Sequence, residues 1–201
     1  LVTIKNTAVT ARRAMKPRLT FKVTQTTLAN GQPRIELAIG GTLGRDKAEM
    51  AEVLGFTVPK LPWEAPKHLL GIGEIDDLMK GIRLGIDVFD CAVPTRLARH
   101  GMALAPDPET RFRMNLRRSD MVGDRLPLVE GCPCVACRDY DRDYINYISR
   151  SEELTAVRLM VEHNLTYMEE LMAGTRKAIT AGTYESYSAA VLDGKAPWDA
   201  L

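Results

Sequence analysis

The chain has 201 residues, 45% of them hydrophobic, enough for the core of one domain but short of the ~250 residues of a closed eight-stranded α/β barrel. Lysine plus arginine (27) nearly balances aspartate plus glutamate (26), so a formal charge of +1 excludes nucleic-acid binding driven by net charge alone. No apolar run approaches the roughly 20 residues of a membrane span, which argues for a soluble protein without a transmembrane helix.

The first acidic residue is Glu36. Before it Lys5, Arg12, Arg13, Lys16, Arg18, Lys22 and Arg34 stand among many threonines, a composition like that of an organellar transit peptide. The expectation is a cytoplasmic protein, with organellar association as the alternative; residues 1–14 read equally as read-through, a tag remnant or a fragment edge. Leu19, Phe21 and Val23 then alternate with polar residues, and Asn30-Gly31 predicts a turn into a second strand through Ile39. Asp46 with Glu49 predicts a capped helix with Met50, Val53 and Leu54 on its apolar face, ended by Gly55.

Prolines 59, 62 and 66 predict a loop. Leu69 to Gly73, a helix bearing Leu78 and Ile82, a stop at Gly85 and a strand from Ile86 to Cys91 make a βαβ unit with parallel strands. In barrels built from such units the chemistry sits at the C-terminal strand ends, and Asp90 is at one. Taken alone, a strand-end aspartate is more often a cap or loop anchor. Between Arg96 and Arg118 six arginines face only Asp107 and Glu109, a pattern that suits either phosphate contact or a solvated basic face. Residues 106–131 read as irregular apart from a short strand at Met114 to Leu116. Ser149 with Glu152 predicts the cap of a long helix with apolar positions Leu154, Val157, Val161, Leu165, Met168, Met172 and Ile179.

Cys132-Pro-Cys134-Val-Ala-Cys137 puts three thiolates on one tight loop, poorly spaced for a disulfide framework and well suited to zinc in a reducing compartment. A redox-active CxxC competes, but the flanking sequence lacks a thioredoxin-like context. A fourth ligand is needed, and His163 on the long helix reaches the loop if the intervening segment forms a helical hairpin. Taken alone, it reads better as a core or surface histidine than as a ligand.

The run Phe89-Asp90-Cys91-Ala-Val-Pro94-Thr95-Arg96-Leu-Ala-Arg99-His100-Gly101, with the cysteine cluster and His163-Asn164, resembles the tRNA-guanine transglycosylase family. Ala38-Ile39-Gly40-Gly41, Leu69-Leu70-Gly71-Ile72-Gly73 and Gly85-Ile86-Asp87 extend the likeness from about residue 35 to about residue 187. The resemblance implies a (β/α)8 TIM-barrel fold, here partial, with an inserted zinc-binding subdomain. It divides the chain into residues 1–34, an extension and hairpin; 35–105, part of the barrel with the nucleophile; and 106–201, the zinc subdomain and C-terminal helices.

Family members exchange guanine at the tRNA wobble position for a 7-deazaguanine, queuine or its precursor. Asp90 is then implied as nucleophile, Gly40, Gly41 and Leu70 as base-pocket lining, and Thr95, Arg96, Arg99, Arg138 and Arg142 as RNA contacts. Cys132, Cys134, Cys137 and His163 are implied as ligands of one structural zinc, and a homodimer or heterodimer as the assembly. Tyr140, Tyr144 and Tyr147 are expected to pack inside the subdomain. The resemblance does not reach the family's N-terminal half, which supplies the first barrel strands, an acid/base aspartate and the groups that read the base. A noncatalytic or truncated RNA-binding zinc subunit, paired with a complete catalytic chain, is the alternative expectation.

Overall fold

The computed structural model describes residues 19–27, 33–41, 43 and 46–201, with side chains at 22, 23, 37–40, 43 and 46–201. Contacts divide the chain between Cys91 and Ala92 into two units.

In the first unit, β1 (Leu19–Thr27) and β2 (Pro33–Gly41) pair antiparallel from Leu19↔Gly41 to Thr27↔Pro33. The predicted turn residues Asn30 and Gly31 lie outside the described residues. β2 pairs in parallel with β3 (Lys67–Leu70), and β3 with β4 (Val88–Asp90), giving the order β1-β2-β3-β4. α1 (Lys47–Thr57) follows β2, and α2 (Ile75–Arg83) joins β3 to β4, so the expected βαβ unit is present. α1 begins where the Asp46 carboxylate accepts the Glu49 backbone N–H at 2.9 Å, satisfying one of the orphan donors of the first turn. Gly55 does not end it, because one glycine weakens a helix without breaking it; α1 runs to Thr57 and tightens into a 3-10 turn over Val58–Lys60, where Pro59 lacks the N–H of an α-helical bond. Ile39, Leu54, Leu69 and Ile86 fill the core between helix and sheet.

The second unit contains α3 (Val93–Arg99), β5 (Met102–Leu104), β6 (Arg113–Asn115), α4 (Val135–Asp139), α5 (Arg142–Arg150), α6 (Leu154–Ala181) and α7 (Tyr184–Leu192). β6 occupies the predicted strand region and pairs antiparallel with β5, a partner that the sequence reading missed. The predicted cap at Ser149 is not formed. Ser149 lies in the last turn of α5, and Glu152, at φ 58, turns the chain through a left-handed residue before α6 starts. Nor is the predicted apolar stripe of α6 its buried face: Leu154 is 83% exposed, and Leu165 and Ile179 are exposed too. The buried face is Ala156, Leu159, Met160, His163, Asn164, Tyr167, Leu171, Gly174, Thr175 and Ala178, with His163 and Asn164 held inside by specific partners.

Among the described residues, no helix is long and apolar enough to cross a membrane. The two sheets, of four and two strands, with seven α-helices among the described residues, make a mixed α/β fold.

Gly182, in the left-handed region at φ 71, ends α6, and α7 folds back against it. The Tyr187 hydroxyl of α7 donates to Leu171 O of α6 at 3.2 Å, and a Cβ on Gly174 would run into that hydroxyl. Gly174→Ala should therefore destabilise the protein by about 1–3 kcal/mol despite the better helix propensity of alanine. A denaturant midpoint equal to or above that of the wild type would show that the hydroxyl moves aside freely.

Candidate nucleophile and metal centre

The parallel register of the first unit sets three strand ends side by side. Leu69 lies opposite Ile39 and Phe89, and Leu70 opposite Asp90. Gly40 is buried, and a Cβ there would sit 3.1 Å from the Leu70 Cδ1, so glycine lets β2 close against that side chain. Gly40, Leu70 and Asp90 are thus brought to the C-terminal edge of the sheet, with Leu70 39% exposed. Gly41 ends β2 as the strand partner of Leu19.

The Asp90 side chain is 61% exposed, turned away from the core. Its Oδ1 accepts the Gly71 backbone N–H at 3.3 Å, and the His68 Nε2 stands 3.2 Å from the same oxygen. The Gly71 N–H also reaches Asp90 O at 2.9 Å, tying the turn after β3 to the end of β4. Gly71 has φ 77, a conformation that favours glycine. The sequence reading missed His68; the signal was the two-residue step that puts His68 and Leu70 on one face of β3.

In the second unit Cys132, Cys134, Cys137 and His163 are all buried, and their ligand atoms lie within 4.8 Å of one another. The His163 Nδ1 is 3.6, 3.5 and 3.3 Å from the three sulfurs in turn. A tetrahedral ion with metal–sulfur bonds of about 2.3 Å and a metal–nitrogen bond of about 2.0 Å requires a sulfur–nitrogen separation of about 3.5 Å. The donor set fits such an ion. Backbone N–H groups point at two sulfurs: that of Cys137 donates to Cys134 Sγ at 3.4 Å, and that of Val129 to Cys137 Sγ at 3.5 Å. Without an ion the thiols compete for protons, as hydrogen bonds from Cys132 and Cys137 hold Cys134 below the usual thiol range, while bonding to Cys134 pushes Cys132 up. Burial pulls the His163 imidazole down, but Cys134 and Cys137 outweigh it and push its pKa up to about 9.

The far nitrogen of that ring is fixed too. The His163 Nε2 lies 2.8 Å from Leu104 O, which as acceptor sets the N–H on Nε2 and turns Nδ1 to the sulfurs. The adjacent Asn164 accepts the Leu104 N–H at 2.7 Å and donates to Pro94 O at 2.9 Å and Met102 O at 3.1 Å. Both main-chain groups of Leu104 are therefore held by neighbouring residues of α6.

The residues expected to touch RNA separate into two kinds. Arg96 and Arg99 are exposed on α3, and Thr95 Oγ1 donates to Ala92 O at 3.3 Å. Arg138 and Arg142 lie on two helices, because Tyr140 and Asp141 separate α4 from α5 with extended backbone and Asp141 caps α5. Arg138 pairs with Asp139 at 2.7 Å; Arg142 bonds Asp124 at 3.0 Å and Leu128 O at 3.1 Å. Tyr140, Tyr144 and Tyr147 do not pack inside: they are 37%, 41% and 68% exposed, since Ile145 and Ile148 take the inner face of α5. Tyr140 and Tyr144 stack on each other with ring centroids 5.1 Å apart.

Metal analysis of the purified chain should find about one ion per chain. Cys134→Ser should lose it, together with several kcal/mol of stability, because binding energy at such a site is folding energy. Acid should release the ion, since thiolates and a neutral imidazole must be protonated to let it go. A metal-free wild type with full stability would contradict this account.

The family pattern described as Queuine tRNA-ribosyltransferase matches residues 16–196. Curated relatives carry the same name. That of Roseiflexus sp. (strain RS-1) is 45% identical over 148 residues, covering 74% of this chain and 37% of the relative. That of Symbiobacterium thermophilum is 41% identical over 156 residues, covering 77% and 38%. That of Acidithiobacillus ferrooxidans is 42% identical over 153 residues, covering 76% and 40%. The aligned part spans less than half the length of each relative. The chain belongs to the queuine tRNA-ribosyltransferase family.

Proposed function

We propose that this chain carries the nucleophile and zinc portion of a tRNA-guanine transglycosylase, which replaces guanine at the tRNA wobble position with queuine or its 7-deazaguanine precursor. The observation that carries the reading is the Asp90 carboxylate, exposed at the end of β4 with Oδ1 held by the Gly71 N–H and flanked by His68. Its second oxygen makes no hydrogen bond among the described residues, which suits a nucleophile oriented by one oxygen and attacking with the other.

In the proposed reaction an Asp90 oxygen bonds to C1′ of the target ribose as the C1′–N9 bond breaks, and its electron pair leaves with guanine, which takes up a proton. The incoming base then attacks C1′, loses its N9 proton and returns the carboxylate, so protons balance over the cycle. The nucleoside must leave its stack to expose C1′. Gly40, Gly41 and Leu70 line the base pocket in this scheme, and Thr95, Arg96 and Arg99 hold the strand. Arg138 and Arg142 are weaker candidates because carboxylates already engage them.

Zinc is the metal we assign to the Cys132, Cys134, Cys137 and His163 set: with four protein ligands it has no open position and supplies a crosslink rather than an activated water. The same reading makes residues 1–34 an extension and hairpin, 35–105 part of the wall of a (β/α)8 barrel, and 106–201 the inserted zinc subdomain with the C-terminal helices. A cytoplasmic homodimer or heterodimer is the proposed setting.

A second reading is a noncatalytic RNA-binding zinc subunit that pairs with a complete catalytic chain, to which the buried Cys132, Cys134, Cys137 and His163 set would belong equally. One assay separates them. Incubated with unmodified tRNA and labelled guanine, the enzyme reading predicts label incorporation that falls at least about 10³-fold in Asp90→Ala. Incorporation only when a complete chain is added, and indifferent to Asp90→Ala, would support the subunit instead.

A further inference from the structure

In the second unit, three of the four candidate metal ligands are carried by helices and one is not. Cys134 caps α4 and Cys137 lies within it, while His163 sits inside α6 with both ring nitrogens engaged. Cys132 stands on the turn before α4, where Glu130, Gly131 and Pro133 are exposed although Cys132 itself is only 7% exposed. Its N–H closes that turn on Val129 O at 3.3 Å, and Gly131 holds φ 74. A ligand on such an arm can swing out with no helix to unwind, which makes Cys132 the first to leave.

The C-terminal tail holds that turn from outside. After α7 the chain bends at Gly194, Ala196 enters the apolar cluster that includes the three cysteines, and the Asp199 N–H returns to Ala196 O at 3.0 Å. Trp198 thus stands on a closed turn of its own. Its Nε1 donates to Glu130 O at 3.2 Å, and a Cβ on Gly131 would stand 2.8 Å from that nitrogen, so the indole lies directly against the residues that precede Cys132. Its ring meets Tyr167 edge-on with centroids 5.8 Å apart, and Tyr167 lies 6.3 Å from the His163 ring. One side chain therefore clasps the turn that offers Cys132 and rests, through Tyr167, on the helix that offers His163.

We propose that Trp198 is a latch on the candidate metal centre: it pins the Cys132 turn, and the tail must lift before Cys132 can release an ion or admit one. The latch governs the rate of exchange and leaves the resting donor geometry to the four ligands. When it lifts, Cys132 gives up its bond to the ion, the thiolate takes a proton from solvent, and a competing ligand occupies the place it left. The contacts that hold the latch, one hydrogen bond and one aromatic edge contact, together set a barrier of about tenfold or more in rate. Because the tail follows α6 and α7 along the chain, the latch closes only once the helix bearing His163 is in place. Identification of the ion as zinc rests on the function proposed above; the pinning of Cys132 does not.

Transfer of zinc from the whole chain to an excess of a colorimetric pyridylazo chelator reads the latch without any catalytic readout. Trp198→Ala should speed release about tenfold or more. Trp198→Phe, which keeps a ring against Tyr167 but loses the N–H, should fall between the variant and the wild type. Under N-ethylmaleimide, tandem mass spectrometry should find Cys132 protected in the wild type and labelled ahead of Cys134 and Cys137 in Trp198→Ala. Asn146→Ala controls for instability, since the bonds it loses run to Leu116 O and Arg118 O and not to the tail. Compared at the same margin below its melting temperature, it should release zinc within about twofold of the wild-type rate, because local opening of the tail and not global unfolding is the gate. Unchanged release in Trp198→Ala, equal acceleration in Asn146→Ala, or labelling that begins at Cys134 or Cys137 would overturn the proposal. A wild type that binds no zinc would sink the metal assignment alone; the latch would then stand or fall on whether Trp198→Ala opens Cys132 first to the maleimide.

Discussion

Residues 163 and 164 carry an unusual burden for a helix interior. A 28-residue helix with both at zero exposure has placed an imidazole and an amide in a core that ordinarily takes leucine. A polar group in that position is strongly unfavourable unless each of its donors and acceptors is met. Here they are: Nδ1 faces three sulfurs, Nε2 meets Leu104 O, and the amide bonds Leu104 N–H, Pro94 O and Met102 O. The cysteine loop, β5 and the start of α3 are therefore located relative to α6 by directional bonds rather than by apolar packing alone.

That constraint explains the economy of the rest of the second unit. Its sheet has only two strands of three residues each, too little to be stable alone. The apolar cluster around Leu116, Leu128, Ile145, Leu159 and Met160 includes the three cysteines, so the candidate metal ligands are part of the core and not an appendage to it. The first unit is built on another principle. There the parallel strands are short and the apolar residues Ile39 and Leu69 seal the sheet, which leaves the strand ends to present Leu70 and Asp90 at their edge.

Much of this was legible in the sequence, and the failures have distinct physical causes. The βαβ unit, the strand-end position of Asp90 and the clustering of Cys132, Cys134 and Cys137 follow from local patterns of alternation, glycine stops and ligand spacing, whereas His163 as their partner came from the family resemblance. The buried face of α6 did not follow from such patterns, because periodicity counts apolar residues, and this helix buries His163, Asn164, Gly174 and Thr175 while exposing Leu154, Leu165 and Ile179. The break between α5 and α6 escaped notice because it depends on a glutamate adopting positive φ, where a glycine would have signalled it. His68 escaped because its nearness to Asp90 comes from pairing between strands 20 residues apart, and the outward turn of Tyr140, Tyr144 and Tyr147 because aromatic content alone does not choose a face.

The zinc assignment at the His163 set is the claim on which the second unit's architecture depends. X-ray absorption at the zinc edge of the purified, unsupplemented chain tests it most directly. The account predicts three sulfur neighbours at about 2.3 Å and one nitrogen at about 2.0 Å, with no exchangeable oxygen in the shell. A shell containing oxygen from water, fewer than three sulfurs, or no zinc edge in a folded protein would contradict it.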